Sequence, residues 1–464
     1  MRRIPRVVFS AVRGGSGKTI ISIGVAVAWR KHGRRIGVFK KGPDFIDAGW
    51  LGAAAGSDCY NLDLFLMEPS AILRSFAEHT MGVDAAVIEG NRGLFDGLDE
   101  AGTYSTARLA RLLAAPVVLI IDCTKVTATV AALVLGCRDF DPAVSLQGVI
   151  LNRVASGRQE SVIRKAVEGA TGIPVVGAVP RLRQEEFPER HMGLTPFQEH
   201  PEVNQAIAAA GAMAEKYIDL DALWNIASEA PDVEAPEALI GQGPRGDSFV
   251  RVGIIQDRAF QFYYPDNLEA LRKQGAELVQ LNALSDAALP GIDALYIGGG
   301  FPETQAAELA ANDKFCASLR AAVERGLPVY AECGGLIYLG RSLQVDGKTY
   351  PMASVLPADF VLEKRPQAHG YTVLEAGENP FFPVGTVLKG HEFHYSRIAN
   401  HDELSGMGLR MQRGVGIDGK NDGLVYKNVL AAYTHLHALG APAWAEGIVR
   451  KAREYRKRAG QEAG

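Results

Sequence analysis

The amino-acid sequence predicts an α/β protein of two doubly wound domains, each a mainly parallel sheet covered by helices. Short apolar segments alternate with helix-like segments in both halves of the 464-residue chain, a pattern typical of parallel strands joined by helical crossovers. Between the halves, residues 230–249 are rich in proline, glycine and charge and show no apolar period. We interpret that stretch as a linker.

The first half contains short apolar runs that end in polar, charged or glycine residues. Ligands of open parallel sheets bind at the carboxyl ends of the strands, so the residues at those ends are the candidates for function. The predicted strands are 6–12, 35–40, 85–89, 116–122, 147–152 and 174–179, and helices are predicted at 19–32 and 103–113.

The second half has the same character. A final segment, 444–458, alternates apolar and basic residues and predicts an exposed amphipathic helix. The predicted strands are 250–255, 277–281, 293–297, 327–331 and 429–433. The predicted organisation is a first domain at 1–229, a linker at 230–249, a second domain at 250–445 and a C-terminal helix and tail at 446–464.

Composition excludes several classes of protein. A net charge of −4 argues against a general nucleic-acid binder, and no apolar run approaches the ~20 residues of a membrane span. The five cysteines are widely spaced with no C-x-x-C pair, which argues against a disulfide framework or a zinc site. The start of the chain does not resemble a secretory signal, so we expect a cytoplasmic protein without nucleic-acid or membrane partners.

A glycine-rich loop follows the first predicted strand and precedes a helix. Residues 10–19 read Ser-Ala-Val-Arg-Gly-Gly-Ser-Gly-Lys-Thr, which predicts backbone N–H groups around phosphate, a lysine on the β- and γ-phosphates and a hydroxyl on Mg²⁺. The usual spacing has glycine where this chain has Val12, and the alternative is a simple glycine-rich turn. The sequence thus predicts a P-loop NTPase-like domain whose ATP-binding residues are Gly14, Gly15, Gly17, Lys18 and Thr19.

The same loop resembles that of partition and septum-placement ATPases, in which lysine replaces Arg13. This gives an alternative hypothesis from another class, a dimerising, nucleotide-switched ATPase. That hypothesis accounts for the phosphate loop but gives the second half of the chain no role.

Acidic residues follow two of the predicted strands. Asp44 and Asp47 lie on a Gly-Pro turn beside Lys40, Glu89 ends a strand, and Asp96 lies in a glycine-flanked loop. One such acid alone would be read as a helix cap or a surface turn. Four acids on the phosphate-loop side of one sheet predict Mg²⁺ ligands and a site that holds a substrate carboxylate in line with the γ-phosphate. The predicted metal ligands are Thr19, Glu89 and Asp44, and the residues predicted for carboxylate activation are Lys40, Asp44, Asp47 and Asp96.

Asn152 ends a further predicted strand. Its amide could contact the edge of the adenine base or cap the following helix. We assign it to the ATP site as a prediction.

A cysteine marks the second half. Cys333 follows a strand and precedes Gly-Gly and a helix-like segment, the arrangement of a nucleophile on a sharp strand-to-helix turn, with the N–H of Gly334 available to an oxyanion. Gly299 and Gly300, after another strand, are predicted to supply further donors. His435, after the last strand, is the candidate base. The alternatives are a buried cysteine and a buried structural histidine.

Together these motifs resemble the cobyrinate a,c-diamide synthase family. The resemblance covers nearly the whole chain and depends on the order of the motifs more than on any one of them. They are F-K-K-G-P-D-F-I-D at 39–47, E-G-x-x-G-L-F-D-G at 89–97, E-R-H-M-G-L at 189–194, A-F-Q-F-Y-Y-P-D-N-L at 259–268, G-G-G-F-P-E at 298–303, A-E-C-G-G-L-I-Y-L at 331–339, G-H-E-F-H-Y-S at 390–396 and Y-T-H-L-H at 433–437.

The resemblance implies a dethiobiotin-synthetase-like ATP domain followed by a flavodoxin-like class I glutamine amidotransferase domain. Cys333 would release ammonia from L-glutamine with the help of His435, while the ATP domain phosphorylates a substrate carboxylate. Many class I amidotransferases have glutamate two residues after the catalytic histidine. This chain has His437 there, which implies a Cys–His pair and leaves open whether His437 takes part.

The resemblance also implies the substrate class, a tetrapyrrole polycarboxylate amidated at its a and c acetates. Cobyrinate is the expected substrate, and sirohydrochlorin or siroheme and nickel-sirohydrochlorin are the alternatives. The chain departs from the family at Arg92, where a hydrophobic residue is usual, and at Ala438, where an aromatic is usual. Arg92 is a candidate for contact with substrate carboxylates, as are His191, His391, His394 and Tyr395, and a homodimer is expected.

Overall fold

The computed structural model describes residues 4–181, 189–190, 193–194, 202–233, 249–401 and 406–462. The chain divides into two compact units, Met1–Leu239 and Ile240–Gly464. The division falls within the stretch interpreted as a linker, most of which (234–248) lies outside the described residues. The candidate His191 also lies outside them.

The first unit is built on a seven-stranded sheet in the order β3-β2-β4-β1-β5-β6-β7. Every neighbouring pair in it is parallel. Its elements are β1 (Arg6–Ala11), α1 (Lys18–Lys31), β2 (Ile36–Lys41), α2 (Ile46–Ala55), β3 (Cys59–Leu62), α3 (Pro69–His79), β4 (Ala85–Glu89), α4 (Thr106–Leu112), β5 (Val117–Asp122), α5 (Thr129–Phe140), β6 (Leu146–Val154), α6 (Gly157–Thr171), β7 (Val175–Pro180), the short pair β8 (Glu189–Arg190) and β9 (Gly193–Leu194), α7 (Val203–Tyr217) and α8 (Leu220–Ser228).

Most strands of this sheet are mainly apolar, and helices cover them. β1, β2 and β4 are buried at every residue, and α1, α2, α7 and α8 share one apolar core with the sheet. The six predicted strands are present with bounds within two residues. β3 was missed because it is a short edge strand with polar residues at its centre.

The second unit is built on a ten-stranded sheet in the order β12-β10-β13-β15-β24-β23-β22-β19-β20-β25, with a four-stranded sheet beside it. Its elements are β10 (Val250–Ile255), β11 (Phe260–Phe262), α9 (Pro265–Lys273), β12 (Ala276–Leu281), β13 (Ala294–Ile297), β14 (Gly299–Gly300), a 3₁₀ helix (Pro302–Gln305), α10 (Ala306–Ala311), α11 (Asp313–Glu324), β15 (Val329–Glu332), α12 (Gly334–Leu339), β16 (Ser342–Val345), β17 (Lys348–Pro351), β18 (Ala358–Leu362), β19 (Ala368–Ala376), β20 (Val387–His394), β21 (Ser396–His401), β22 (Met407–Arg413), β23 (Asn421–Tyr426), β24 (Val429–Ala432), β25 (His435–Leu436) and α13 (Ala443–Glu462).

Only half of this large sheet is parallel. β12, β10, β13, β15 and β24 are parallel neighbours, and they correspond to the five predicted strands. From β24 onwards the sheet continues through antiparallel pairs. The expectation of a doubly wound second domain therefore holds for the parallel half, and the antiparallel half was not foreseen.

The C-terminal helix differs from its prediction. α13 begins at Ala443, before the predicted domain boundary, and its apolar face belongs to the core of the second unit. Trp444, Ile448, Val449 and Ala452 are buried, and the Trp444 ring packs edge-on against Tyr296 at 5.0 Å between centroids. The prediction of an exposed helix was wrong for this face, because the spacing of its apolar residues serves packing. No helix in the described part of the chain is both long and apolar enough to cross a membrane.

Candidate functional sites

The phosphate loop connects β1 to α1, as predicted, and Asn152 braces it. Asn152 Nδ2 donates to the carbonyl oxygen of Ser16 at 2.8 Å. Gly17 has φ of 90°, and a Cβ there would lie 2.2 Å from Asn152 Nδ2, so only glycine fits. Lys18 Nζ donates to the backbone oxygen of Arg92 at 2.8 Å. The amide of Asn152 thus supports the loop directly, and its contact with adenine stays a prediction.

The predicted acids of β2 and β4 meet around one buried lysine. Lys40 Nζ lies 2.6 Å from Glu89 Oε1, 2.7 Å from Asp47 Oδ2 and 3.9 Å from Asp44 Oδ2. The Thr19 hydroxyl donates to the same Glu89 oxygen at 2.9 Å. The N–H of Asp47 donates to Asp44 Oδ1 at 2.9 Å. The structure therefore joins the phosphate-loop threonine to the acids of both strand ends.

The charges in this cluster govern one another. Burial opposes the charge of Lys40, yet the Asp47 and Glu89 carboxylates raise its pKa well above the usual value. Burial alone would raise the pKa of Asp47, but the charge and hydrogen bond of Lys40 hold it low. Burial raises the pKa of Glu89. Burial and the Asp47 charge raise the pKa of Asp44 to about 7, so one carboxyl of the cluster is readily protonated near neutral pH.

The oxygen donors of the cluster fit a magnesium ion that also binds phosphate. Glu89 Oε2 is buried and has no hydrogen-bond partner among the described residues. Mg²⁺ usually takes one or two carboxylates together with phosphate oxygens and water. No group of three or more His, Cys, Asp or Glu side chains in the described ranges has the geometry of a protein-only metal site. Thr19 and Glu89 are in contact, and Asp44 reaches to 3.9 Å from the Lys40 ammonium.

Asn61 is a supporting residue that sequence reasoning missed. It is the penultimate residue of β3, and its Nδ2 donates to the carbonyl oxygens of Gly42 at 2.8 Å and Asp44 at 3.0 Å. Asn61 therefore holds the Gly-Pro turn that carries Asp44 and Asp47. Its only signal in the sequence was its place near the end of a strand that was itself missed.

Asp96 and Arg92 lie outside the Lys40 cluster. Asp96 Oδ2 accepts the N–H of Gly93 at 2.8 Å, so it shapes its own loop. Its charge still acts on Lys18, whose pKa is lowered by burial and by Lys40. Arg92 has φ of 51°, and its positive charge acts on the buried Lys41. A role for Asp96 and Arg92 in activating a carboxylate remains a prediction.

In the second unit, Cys333 forms the turn between β15 and α12. Its φ and ψ are 46° and −97°, a conformation that costs about 1–3 kcal/mol and persists only where the surroundings enforce it. The N–H of Cys333 donates to Ala432 of the neighbouring β24 at 2.7 Å. The side chain is 6% exposed. This is the strained strand-to-helix turn that the sequence predicted.

Glycines crowd around the thiol. A Cβ on Gly334 would lie 3.1 Å from the nitrogen of Gly300. A Cβ on Gly299 would lie 2.4 Å from Cε1 and 3.2 Å from Nε2 of His435. β13, β15 and β24 are adjacent parallel strands, so the residues after them meet at one edge of the sheet. The structure thus brings Cys333, Gly334, Gly299, Gly300 and His435 together.

The thiol is protonated in this environment. Burial, followed by the charge of Glu303, raises the pKa of Cys333, and Glu332 acts in the same direction. The thiol faces the carbonyl oxygen of Phe393 at 3.8 Å. A nucleophilic Cys333 therefore requires a base, which is the role predicted for His435.

Buried side chains surround His435. Its ring stacks on His391, with 4.9 Å between centroids and 19° between planes, and its Nδ1 lies 3.4 Å from Oε2 of Glu332. Burial, then the neighbouring histidines, lowers the pKa of His391 well below its usual value, so His391 is neutral. Sequence reasoning missed Glu332, although it directly precedes the cysteine.

His437 is fully buried, and His391 and His394 are also buried. His437 Nε2 lies 3.4 Å from Asp266 Oδ2. His394 stacks on Tyr433 at 3.6 Å between centroids. His391 and His394 are 6% and 5% exposed, and their contact with a large ring stays a prediction.

Comparison with known proteins identifies both units. Residues 7–194 match the family described as a CobQ/CobB/MinD/ParA nucleotide binding domain, and residues 251–443 match the CobB/CobQ-like glutamine amidotransferase domain. The class of protein is therefore a nucleotide-binding, glutamine-dependent amidotransferase.

Full-length relatives narrow the class. The chain is 43% identical to the cobyrinate a,c-diamide synthase of Magnetococcus marinus over 97% of this chain and 98% of that protein. It is 40% identical to that of Archaeoglobus fulgidus, again over 97% and 98%, and 38% identical to that of Dehalococcoides mccartyi over 96% and 98%. The chain belongs to the cobyrinate a,c-diamide synthase family. The alternative of a partition-type ATPase is not favoured, because these relatives match both domains.

Proposed function

We propose that this protein amidates the a and c acetate side chains of cobyrinate, with ATP as the energy source and glutamine as the nitrogen donor. One combination of observations carries the proposal. A single chain contains a strained cysteine turn beside a histidine and, in its other unit, a phosphate loop joined to a cluster of acids. Its full-length relatives bear the name of that activity.

The glutamine half-reaction follows from the second unit. His435 accepts the thiol proton as Cys333 Sγ attacks the carboxamide carbon, and the N–H groups of Gly300 and Gly334 stabilise the oxyanion. The C–N bond then breaks, the proton passes from His435 to the leaving nitrogen, and ammonia departs. Water hydrolyses the thioester, which releases glutamate and restores the thiol.

The ATP half-reaction follows from the first unit. Gly14, Gly15 and Gly17 place N–H groups around the phosphates, and Lys18 balances their charge. Thr19, Glu89 and Asp44 would hold Mg²⁺, which supplies further charge neutralisation to phosphoryl transfer. The residues around Lys40 act on the substrate carboxylate that receives the phosphoryl group.

Lys40 and Asp47 position the substrate carboxylate near the γ-phosphate. Lys40 is buried and already contacts Asp47 and Glu89. Such a preorganised cation needs little rearrangement during the reaction. Lys18 donates to the backbone oxygen of Arg92, and the charge of Asp96 acts on Lys18. Arg92 is the residue that we assign to a second carboxylate of the polyanionic substrate. Transfer of phosphate to the carboxylate activates it, and ammonia displaces phosphate to give the amide.

A mass-spectrometric assay tests the substrate. The protein is incubated with ATP, Mg²⁺, glutamine and one macrocycle at a time. The macrocycles are cobyrinate, sirohydrochlorin, siroheme and nickel-sirohydrochlorin. Cobyrinate is expected to show two successive mass changes, each corresponding to replacement of a hydroxyl by an amino group. Product from another macrocycle and none from cobyrinate would reassign the substrate. A homodimer and a cytoplasmic location remain predictions, the first open to sedimentation analysis.

A further inference from the structure

We propose that Glu332 is the positioning residue of the glutamine site, a carboxylate that orients His435 from the position directly before the nucleophile. This inference rests on the proposed Cys333–His435 pair. It replaces the two-residue site that the sequence implies with a set of three. Its acid comes from β15, not from the segment that follows the histidine.

The carboxylate of Glu332 is fixed at both oxygens. The residue is 1% exposed. Oε2 accepts the Tyr296 hydroxyl at 3.1 Å and lies 3.4 Å from His435 Nδ1. Oε1 accepts the N–H of Leu436 at 3.1 Å. Glu332 thus lies against the ring of His435 and accepts a hydrogen bond from the backbone of the next residue.

Strand register explains why the residue before the cysteine reaches the histidine. Glu332 is paired with Ala432 in the parallel ladder of β15 and β24, and His435 follows three residues later. The turn at Cys333 then separates the directions of the two consecutive side chains. Two residues after His435, where other class I enzymes carry glutamate, His437 is turned towards Asp266. The usual position therefore supplies no carboxylate here.

The place of the Glu332 carboxylate favours one nitrogen of His435 as the base. With Nδ1 beside Glu332, the opposite edge of the ring faces Gly299, as the distances to a Cβ at that glycine show. A carboxylate beside Nδ1 favours the tautomer with its proton there. Nε2 is then unprotonated and lies on the side of Gly299 and Gly334, where the thiol proton must go.

The variant Glu332→Gln tests the assignment in the full-length protein. Glutaminase kcat is expected to fall about 100-fold or more, while KM for glutamine changes little because Glu332 does not touch substrate. Synthesis from external ammonia should be retained, which reports that the first unit folds, and the unchanged KM for glutamine reports that the second unit folds. Glu332→Asp, which keeps the charge on a shorter side chain, should give an intermediate kcat. Unchanged kcat in Glu332→Gln would overturn the proposal.

Alkylation of Cys333 by iodoacetamide distinguishes two effects of Glu332: orientation of His435 and the direct effect of its negative charge on the thiol. Loss of the Glu332 charge alone would ease ionisation of the thiol and speed alkylation at neutral pH. Loss of an oriented base would slow it, which is the expected result, and His435→Ala should match it. Glu392→Gln is the matched control, because Glu392 is also a buried carboxylate and its hydrogen bonds go to Val415 and Gly416. Faster alkylation in Glu332→Gln would refute the positioning role.

Failure of the Glu332 proposal can be distinguished from failure of the Cys333 assignment. If Cys333→Ala retains glutaminase activity, the Cys333 assignment itself fails. If Cys333→Ala loses that activity and Glu332→Gln does not, only the role of Glu332 fails.

Discussion

The ammonium group of Lys40 lies 2.6 Å from a carboxylate oxygen of Glu89, and both side chains are buried. The two residues are register partners in the parallel ladder of β2 and β4. The same ammonium contacts Asp47, and the same oxygen of Glu89 accepts the Thr19 hydroxyl. One buried cation therefore connects the ends of β2 and β4 to the phosphate loop. The same lysine is expected to stabilise the first unit and to take part in its reaction.

Replacement of Lys40 by methionine is expected to destabilise the first unit. The change leaves the acids of the cluster without their cation, and removal of one partner from a buried ion pair costs about 3–5 kcal/mol. Urea unfolding checks the value. Lys31→Ala is the control, because the exposed Lys31–Glu215 pair is worth about 1 kcal/mol or less. Equal losses in the two variants would contradict the central role of Lys40.

Much of the first unit could be predicted because its signals are local. Apolar strands, a glycine-rich loop and acids at strand ends follow one another in sequence, and a parallel sheet places them at one edge. Asn61 was not predictable in this way. Its strand is short and lies at the sheet edge, and its function depends on a turn nineteen residues earlier.

The second unit shows a different limit. The cysteine turn could be recognised because strain and glycines leave a local signature at Cys333. The antiparallel half was missed, although three of its strand pairs join consecutive strands. The contact of Glu332 with His435, and the burial of His391 and His394, required the fold because they depend on pairings between strands distant in sequence, β15 with β24 and β20 with β25.

Lys18→Ala should abolish synthesis with either nitrogen source. The phosphate loop would lose the cation that faces the nucleotide phosphates, and we expect the amide product to fall about 100-fold or more, in line with the loss of one electrostatic contact in a transition state. Glutaminase activity should persist, because its residues belong to the other unit. Amide product and glutamate are measured separately. Unchanged synthesis would exclude the proposed role of the loop.

Cys333→Ala should have the opposite effect, with glutaminase activity lost and the ATP site intact. Glutamine-dependent product is expected to disappear, because no other group forms the thioester, while product from high external ammonia remains. Cys123→Ala is a suitable control, since Cys123 is a buried cysteine of the first unit. Survival of glutamine-dependent synthesis in Cys333→Ala would remove the thiol from the mechanism.

The pH dependence of Cys333 alkylation follows from its burial. Its pKa is raised above the usual value of about 8.5 for a free cysteine, so the reactive thiolate is a minor species at pH 7 and increases as pH rises. The rate of iodoacetamide labelling at the Cys333 peptide should therefore climb continuously from pH 7 to above about 9 without a plateau. A plateau near pH 6 would show a thiolate that is already stable in the resting protein.

Gly299→Ala should disable the glutamine site by displacing His435. The added methyl group would lie 2.4 Å from Cε1 of His435, far inside van der Waals contact, and the ring is confined by the stacked His391 and by Glu332, so it must leave its position. We expect glutaminase activity to fall about 100-fold, with ammonia-dependent synthesis retained. Gly347→Ala, in a turn where a Cβ meets no atom within 4 Å although φ is 79°, controls for the loss of a glycine elsewhere in the same unit. Full glutaminase activity in Gly299→Ala would mean that His435 acts from a position other than the one beside Gly299.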